Sequence, residues 1–144
     1  MYDLMIIGSG PAGISAALTA KARNLNFIWF GSRALSTKIE KAEKIMNYPG
    51  LPAVTGSEMQ SVFLKQIDDC GITITESQVN SIYDCGGYFA AGADNEIYEA
   101  KAVIMTVGMT TTREIEGEAR LLGCGVSYCA TCDAMFYRNK TVAV

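Results

Sequence analysis

Three glycines, Gly8, Gly10 and Gly13, constrain this chain more than any other feature, because of what stands on either side of them. Tyr2 to Ile7 is a short, mostly apolar run that reads as a strand. Ile14, Ala17, Leu18 and Lys21 recur three or four residues apart, which predicts a helix beginning near Pro11. Proline suits a first helical turn, where its missing N–H has no intrahelical partner in any case. In a strand-G-x-G-x-x-G-helix segment the first glycine permits a tight turn and the second lets the backbone approach a pyrophosphate. The third lets helix and strand pack closely, and the helix N-terminus attracts negative charge. A second apolar run, Phe27-Ile28-Trp29-Phe30, follows at the right distance to complete a βαβ unit with a right-handed crossover. The segment therefore points to dinucleotide binding. One part of the pattern is missing: the acid that would hold the adenosine ribose belongs at the end of the second strand, where Gly31-Ser32-Arg33 stand, and Ser32 could replace one hydrogen bond of two.

The chain's 144 residues suffice for one modest domain, or one and part of another. A hydrophobic fraction of 49% with 19% charged residues indicates a compact, soluble fold rather than a disordered or low-complexity chain. The net charge of −3 leaves no electrostatic footprint for nucleic acid or an anionic membrane, so neither is expected as a partner. No apolar run approaches the roughly 18 residues of a transmembrane helix. The N-terminus lacks the basic region and cleavage site of a signal peptide, so a cytoplasmic location is expected. Five cysteines, an odd number, argue against a structural disulfide framework and for buried thiols beside a redox or metal pair. With no histidine in the chain, Ser-His-Asp and Cys-His catalysis and His-containing zinc sites are excluded.

Residues 37 to 45, rich in Lys and Glu, read as a solvated surface segment. Asn47-Tyr48-Pro49-Gly50 and Pro52 mark turns, and Thr55 with Glu58 has the spacing of a capping box. The stripe Met59, Val62, Phe63, Ile67 and Cys70 predicts a helix stopped by Gly71, with Cys70 as an inert core thiol. From Ile72 to Tyr98 short runs at Ile72 to Ile74, Gln78 to Tyr83, Tyr88 to Ala91 and Glu96 to Tyr98 predict an antiparallel meander. Its tightest turn is expected at Gly86-Gly87, with Cys85 incidental beside it. Ala102 to Val107 reads as a separate central strand buried on both faces. Residues 109 to 118 resemble a linker, and Thr141 to Val144 resembles the opening strand.

Cys129-Ala130-Thr131-Cys132-Asp133 carries the second chemistry. Two thiols at this spacing at a helix start can close a small disulfide ring, and the helix dipole lowers the thiolate pKa of the first, making it the exchange nucleophile. Asp133 places a carboxylate within reach of a leaving thiolate as a candidate acid/base. Half of a zinc knuckle is the alternative; Cys124 could add a third ligand, but Cys70 and Cys85 sit in separate elements, and no metal site is expected.

The glycine loop, Asn47-Tyr48-Pro49-Gly50, the run Thr106-Val107-Gly108, Gly117-Glu118 and above all Gly125 to Asp133 together resemble the N-terminal portion of a bacterial low-molecular-weight thioredoxin reductase. The resemblance runs the length of the chain. It implies a Rossmann-like α/β FAD-binding domain of three layers, a parallel sheet with an antiparallel β meander. That domain would be incomplete here and followed by the start of a second nucleotide-binding domain. The implied division is residues 1–112 for the first part of the FAD domain, 113–117 for a linker, and 118–144 for the start of an inserted redox and nicotinamide-binding domain. By resemblance, Gly8, Ser9, Gly10, Pro11, Ala12 and Gly13 would contact the FAD pyrophosphate, and Asn47 would lie near the flavin. Thr106, Val107 and Gly108 would line the cofactor; Cys132 would face the flavin, Cys129 would attack the thioredoxin disulfide, and Asp133 would move the proton. Ser32 stands where the family has its ribose acid, residues 35–39 lack its Gly-Gly-Gln segment, and Val107 replaces a Thr. These departures leave the donor open between NADPH and ferredoxin, the latter as in a ferredoxin-fed flavin thioredoxin reductase. The resemblance also implies a homodimer when intact, thioredoxin or a thioredoxin-like protein as partner, and no turnover by this chain alone. A non-enzymatic dinucleotide-fold fragment and a small Cys-rich metal-binding module are the alternatives.

Overall fold

The computed structural model describes residues 1–108, 116–121, 124–127 and 134–143. They fall into two units, one formed by Met1–Glu43 with Thr55–Gly108 and the other by Lys44–Val54 with Met109–Val144.

The first unit opens with strand β1 (Tyr2–Ile7), helix α1 (Pro11–Ala22) and strand β2 (Phe27–Phe30). Leu4 to Ile7 pair in parallel with Phe27 to Phe30, as the βαβ reading expects. Two helices follow, α2 (Thr37–Glu40) and α3 (Gly56–Asp69), then strands β3 (Val79–Asp84), β4 (Phe89–Ala93) and β5 (Glu96–Met105). The sheet order is β2-β1-β5-β4-β3, parallel across its first three strands and antiparallel across its last three. The architecture is a Rossmann-like α/β fold with an appended meander.

Two layers of apolar contacts hold it. Met5, Ile7, Ile28 and Phe30 from the parallel strands join Ala91, Ala93 and Ala100 from the meander in one buried cluster. The Phe30 and Tyr98 rings meet edge to face with centroids 5.0 Å apart. Ile7 stands opposite both Phe30 and Met105, so the ring contact joins the end of β2 to the opposite end of β5, where Tyr98 lies seven residues before Met105. Small alanines on β4 and β5 allow that close approach. Leu4 and Ile6 alternate to the other face of β1, also buried, and α1 packs against β1, β5 and α3. Each large side chain fully removed from water there, such as Ile6, Ile67 or Met59, contributes about 1.5–3 kcal/mol.

Helix α3 starts where its capping box predicts: Thr55 Oγ1 accepts from the Glu58 N–H at 3.2 Å and Glu58 Oε2 accepts from the Thr55 N–H at 2.8 Å. Met59, Phe63 and Ile67 are buried, and Gly71, at φ +61°, ends the turn. Cys70 corrects the sequence reading. It is the exposed C-cap, because the stripe drifts off the buried face in the last turn, and Val62 also faces water. The surface segment at 37–45 contains the short α2, capped by Ser36, and is mostly exposed.

The meander and the strand after it differ from expectation in four ways. Ile72 to Ile74 lie outside it; Thr75 instead makes a single parallel bridge to Phe30, which extends the parallel edge. The runs expected as separate strands at Glu96 to Tyr98 and Ala102 to Val107 are one ten-residue strand, β5, because no turn residue separates them. The tightest turn is Asp94-Asn95, both at positive φ, while Gly86-Gly87 sits in a longer connection. Nor is the second half of β5 buried on both faces: Ile104 is 39% and Met105 62% exposed, and Val107 beyond the strand is 59% exposed. Phe89 opposite Ala100 is the last β4–β5 pair, so the residues after Ala100 pair only with β1.

In the second unit Ile45 bridges Val54 and Tyr48 bridges Leu51, which confirms the turns around Pro49 and Pro52. Helix α4 (Glu118–Leu121) begins after Gly117, at φ +84°, and Ala134–Tyr137 form a 3-10 turn. Residues 141–143 are exposed and lie in no strand, so the resemblance of Thr141 to Val144 to the opening strand does not become pairing among the described residues. No described helix is long and apolar enough to cross a membrane.

Candidate functional site

The loop between β1 and α1 is built by close packing on two of its glycines and by open space at the third. Gly8, at φ +111°, lies against β5's extension: a Cβ there would come within 2.4 Å of the Thr106 carbonyl oxygen. A Cβ on Gly13 would lie 2.0 Å from the Gly8 carbonyl oxygen. No side chain fits at either place. Gly10 is different. It has an ordinary φ of −71°, and a Cβ on it would meet no protein atom within 4 Å. Nothing internal to the protein requires glycine at that position.

Gly10 is also the N-cap of α1, and no side chain caps the helix. The first N–H groups of a helix lack intrahelical acceptors; here Pro11 has none to offer, leaving those of Ala12 and Gly13 with the positive end of the helix dipole. An anionic group such as a pyrophosphate supplies the missing acceptors. The chemistry of the donors and the clearance at Gly10 fit a dinucleotide phosphate.

The loop is pinned from behind. Trp29 Nε1 donates to the Gly8 carbonyl at 2.8 Å, and Thr106 Oγ1 donates to the Ile7 and Gly8 carbonyls at 2.9 and 3.0 Å. Trp29 is 1% exposed, and its buried N–H finds its acceptor in this contact. The Gly8 N–H donates in turn to the Phe30 carbonyl at 2.8 Å. Thr106 therefore stands beside the loop through its hydroxyl, whereas Val107 and Gly108 are exposed, Gly108 at φ +67°.

Ser9 joins the loop to the end of β2. Its buried Oγ donates to the Leu35 carbonyl at 3.1 Å and accepts from the Ser32 N–H at 3.0 Å. That hydroxyl is fully engaged within the protein, so any ligand contact at Ser9 would fall to its backbone. Gly31 makes this join possible, since a Cβ there would lie 2.5 Å from that of Ser9. Ser32 Oγ accepts from the Ala34 N–H at 3.1 Å and is exposed to solvent. Arg33 turns its guanidinium onto Asp68 in a two-pronged pair at 3.0 to 3.1 Å, which holds the Asp68 carboxyl below its ordinary value and raises Arg33 above its own. Its backbone N–H donates to Glu76 Oε1 at 2.8 Å.

The structure thus brings Gly8, Ser9, Gly10, Pro11, Gly13, Thr106 and Ser32 into one region of the first unit, by the contacts given above. Asn47 is exposed in the second unit, between Ile45 and Tyr48. Cys129, Cys132 and Asp133 lie outside the described residues. Cys70, Cys85 and Cys124 are free and exposed thiols. Trp29, Gly31 and Glu76 escaped the sequence reading. Gly31, directly after an apolar strand, carried a local signal; Trp29 read only as strand filling, and Glu76 carried none.

A Rossmann-like sheet with a glycine loop and an uncapped helix start at the β1–α1 turn defines the class, and comparison with known proteins places the chain within it. The pyridine nucleotide-disulphide oxidoreductase family matches residues 2–144, and the chain belongs to that family. The thioredoxin reductase of Helicobacter pylori (strain J99) is 37% identical over 148 residues, which cover 100% of this chain and 48% of that protein. That of Bacillus subtilis (strain 168) is 31% identical over 145 residues, 100% of this chain and 46% of that one. Among solved structures, a ferredoxin-flavin thioredoxin reductase from Clostridium acetobutylicum is 48% identical with a TM-score of 0.75, the match covering 97% of this chain and 49% of that one. The thioredoxin reductase from Streptococcus pyogenes MGAS5005 is 34% identical with a TM-score of 0.83, covering 96% and 45%. The chain spans about half the length of the curated relatives it matches.

Proposed function

We propose that this chain supplies the first part of the FAD-binding domain and the redox cysteines of a flavin-dependent disulfide reductase that reduces thioredoxin or a thioredoxin-like protein. The observation that carries the reading is the cradle at Gly10 and the uncapped start of α1, which offers clearance and N–H donors to a dinucleotide. The first part of that domain is residues 1–112, with 113–117 as linker and 118–144 opening the inserted redox domain.

FAD, when bound, would accept electrons from the donor, in two single steps where the donor is a one-electron carrier, and pass them as a pair to a disulfide. The backbone N–H groups of Ala12 and Gly13 at the start of α1 would hold its pyrophosphate, Ser9 would add only its backbone, Gly10 leaves the approach open, and Trp29 and Thr106 fix the Gly8 end of the loop that presents them. In the dithiol state Cys129 attacks one sulfur of the partner disulfide and forms a mixed disulfide. Cys132 then attacks the Cys129 sulfur, which releases the partner as a dithiol and leaves the Cys129–Cys132 disulfide; two electrons have passed to the partner. Asp133 gives a proton to the leaving thiolate.

The donor we propose is a ferredoxin. Identity is 48% to the ferredoxin-flavin thioredoxin reductase and 34% to the Streptococcus pyogenes enzyme, and Ser32, Val107 and residues 35–39 depart from the thioredoxin-reductase pattern. The test uses the full-length protein with bound flavin. Reduced ferredoxin is expected to drive thioredoxin reduction and NADPH is not; NADPH-driven turnover at an equal rate would overturn the donor assignment. Cys132→Ser is expected to accumulate a mixed disulfide with thioredoxin, and Cys129→Ser to form none. Equal trapping by the Cys129→Ser variant would reverse the roles of the two thiols.

A further inference from the structure

Dinucleotide folds of this type hold the adenosine ribose with a carboxylate at the end of the second strand. This chain has Gly31-Ser32-Arg33 there. The tertiary structure nevertheless delivers a carboxylate to that place from a distant segment. Thr75 bridges Phe30, with the Thr75 N–H donating to the Trp29 carbonyl at 2.7 Å and the Gly31 N–H donating to the Thr75 carbonyl at 3.1 Å. These bonds lay the segment ending at Thr75 alongside the last residues of β2. The next residue is Glu76, whose Oε1 takes the Arg33 N–H at 2.8 Å.

Glu76 is exposed, and its second carboxylate oxygen accepts no hydrogen bond from the described residues. Arg33 does not occupy it, since the guanidinium is committed to Asp68 at 3.0 Å. Ser32 replaces at most part of it, because its N–H goes to Ser9 and its hydroxyl, which already accepts from Ala34, carries no charge and keeps a single lone pair. The chain of contacts from Ser9 in the glycine loop through Ser32 to Arg33 and Glu76 ties this carboxylate to the phosphate cradle. A nucleotide bound at Gly10 would place its adenosine ribose near the end of β2, as dinucleotide folds do.

We propose that Glu76 is the carboxylate that accepts hydrogen bonds from the adenosine ribose hydroxyls of the cofactor, in the place the sequence leaves without an acid. The proposal rests on the flavin reading above, and the test separates the two. Full-length apoprotein is titrated with FAD by the change in flavin fluorescence, and bound FAD is then displaced by ADP, 2′-deoxy-ADP or 3′-deoxy-ADP. Wild-type protein is expected to bind FAD and to be emptied more readily by ADP than by at least one deoxy nucleotide. Glu76→Gln keeps an acceptor for the Arg33 N–H and removes the charge. It is expected to bind FAD about ten- to a hundredfold more weakly, to lose the preference for ADP, and to melt as wild type does without flavin. A Glu76→Gln protein with wild-type FAD affinity, or with an undiminished preference for ADP, would overturn the assignment. Should that variant not fold, the wild-type preference decides: equal displacement by all three nucleotides overturns it. Failure of wild-type apoprotein to bind FAD at all would instead sink the flavin reading, and Glu76 with it.

Discussion

The two ends of the proposed nucleotide site are made in different ways. The phosphate end comes from six consecutive residues, Gly8 to Gly13, whose backbone turns and opens because of what those residues are. The end proposed for the ribose is assembled from Ser9, Gly31 to Arg33, Asp68 and Glu76, which meet only when β2 acquires the Thr75 bridge on its edge and α3 lies alongside. A local device leaves a motif in the sequence. An assembled one does not, and its parts are held by hydrogen bonds between segments far apart in the chain.

Within the phosphate end the glycines divide again, and substitution separates them. Gly13→Ala would drive a methyl into the Gly8 carbonyl, 2.0 Å away, and is expected to destabilise the fold by more than about 3 kcal/mol, read as loss of a cooperative thermal transition. Gly10→Ala meets no protein atom and keeps an allowed φ, so its stability cost should stay within about 1 kcal/mol while FAD affinity falls about tenfold or more. Equal destabilisation by the two substitutions would erase the distinction between a packing glycine and a ligand-facing one.

Trp29→Phe tests the pin behind the loop. It keeps an apolar ring in a buried site and removes one of two donors to the Gly8 carbonyl, leaving Thr106. A loss of about 1–2 kcal/mol in urea unfolding is expected. No loss would show that Thr106 suffices.

The smallest effect belongs to the ribose end. The Arg33 guanidinium holds Asp68 below its ordinary value of 3.8, so the folded protein binds that proton less readily than the unfolded chain does. The pair therefore adds stability above the ordinary value, and that contribution is lost as pH falls through the depressed one. Both side chains are about half exposed, 49% and 54%, so solvent screens the pair. The melting temperature should drop slightly more steeply below pH 3.8 in wild type than in Asp68→Asn, by acid-range calorimetry. Identical profiles would remove the pair from the energetics of this end.

The sequence by itself determined the βαβ opening, the glycine loop, the start of α3 and the turns near Pro49, because each leaves a signal within a few residues: a cap three positions on, a turn, an amphipathic spacing. It also misplaced β5. Hydrophobicity read Ala102 to Val107 as buried on both faces, whereas exposure depends on which neighbour pairs beyond Ala100, and sequence spacing carries no record of that. Only the tertiary structure decided that Cys70 faces water, that the Trp29 N–H pins the Gly8 carbonyl, and that Glu76 stands at the end of β2. In each case the partner lies in another element, and its distance along the chain has no bearing on its distance in space.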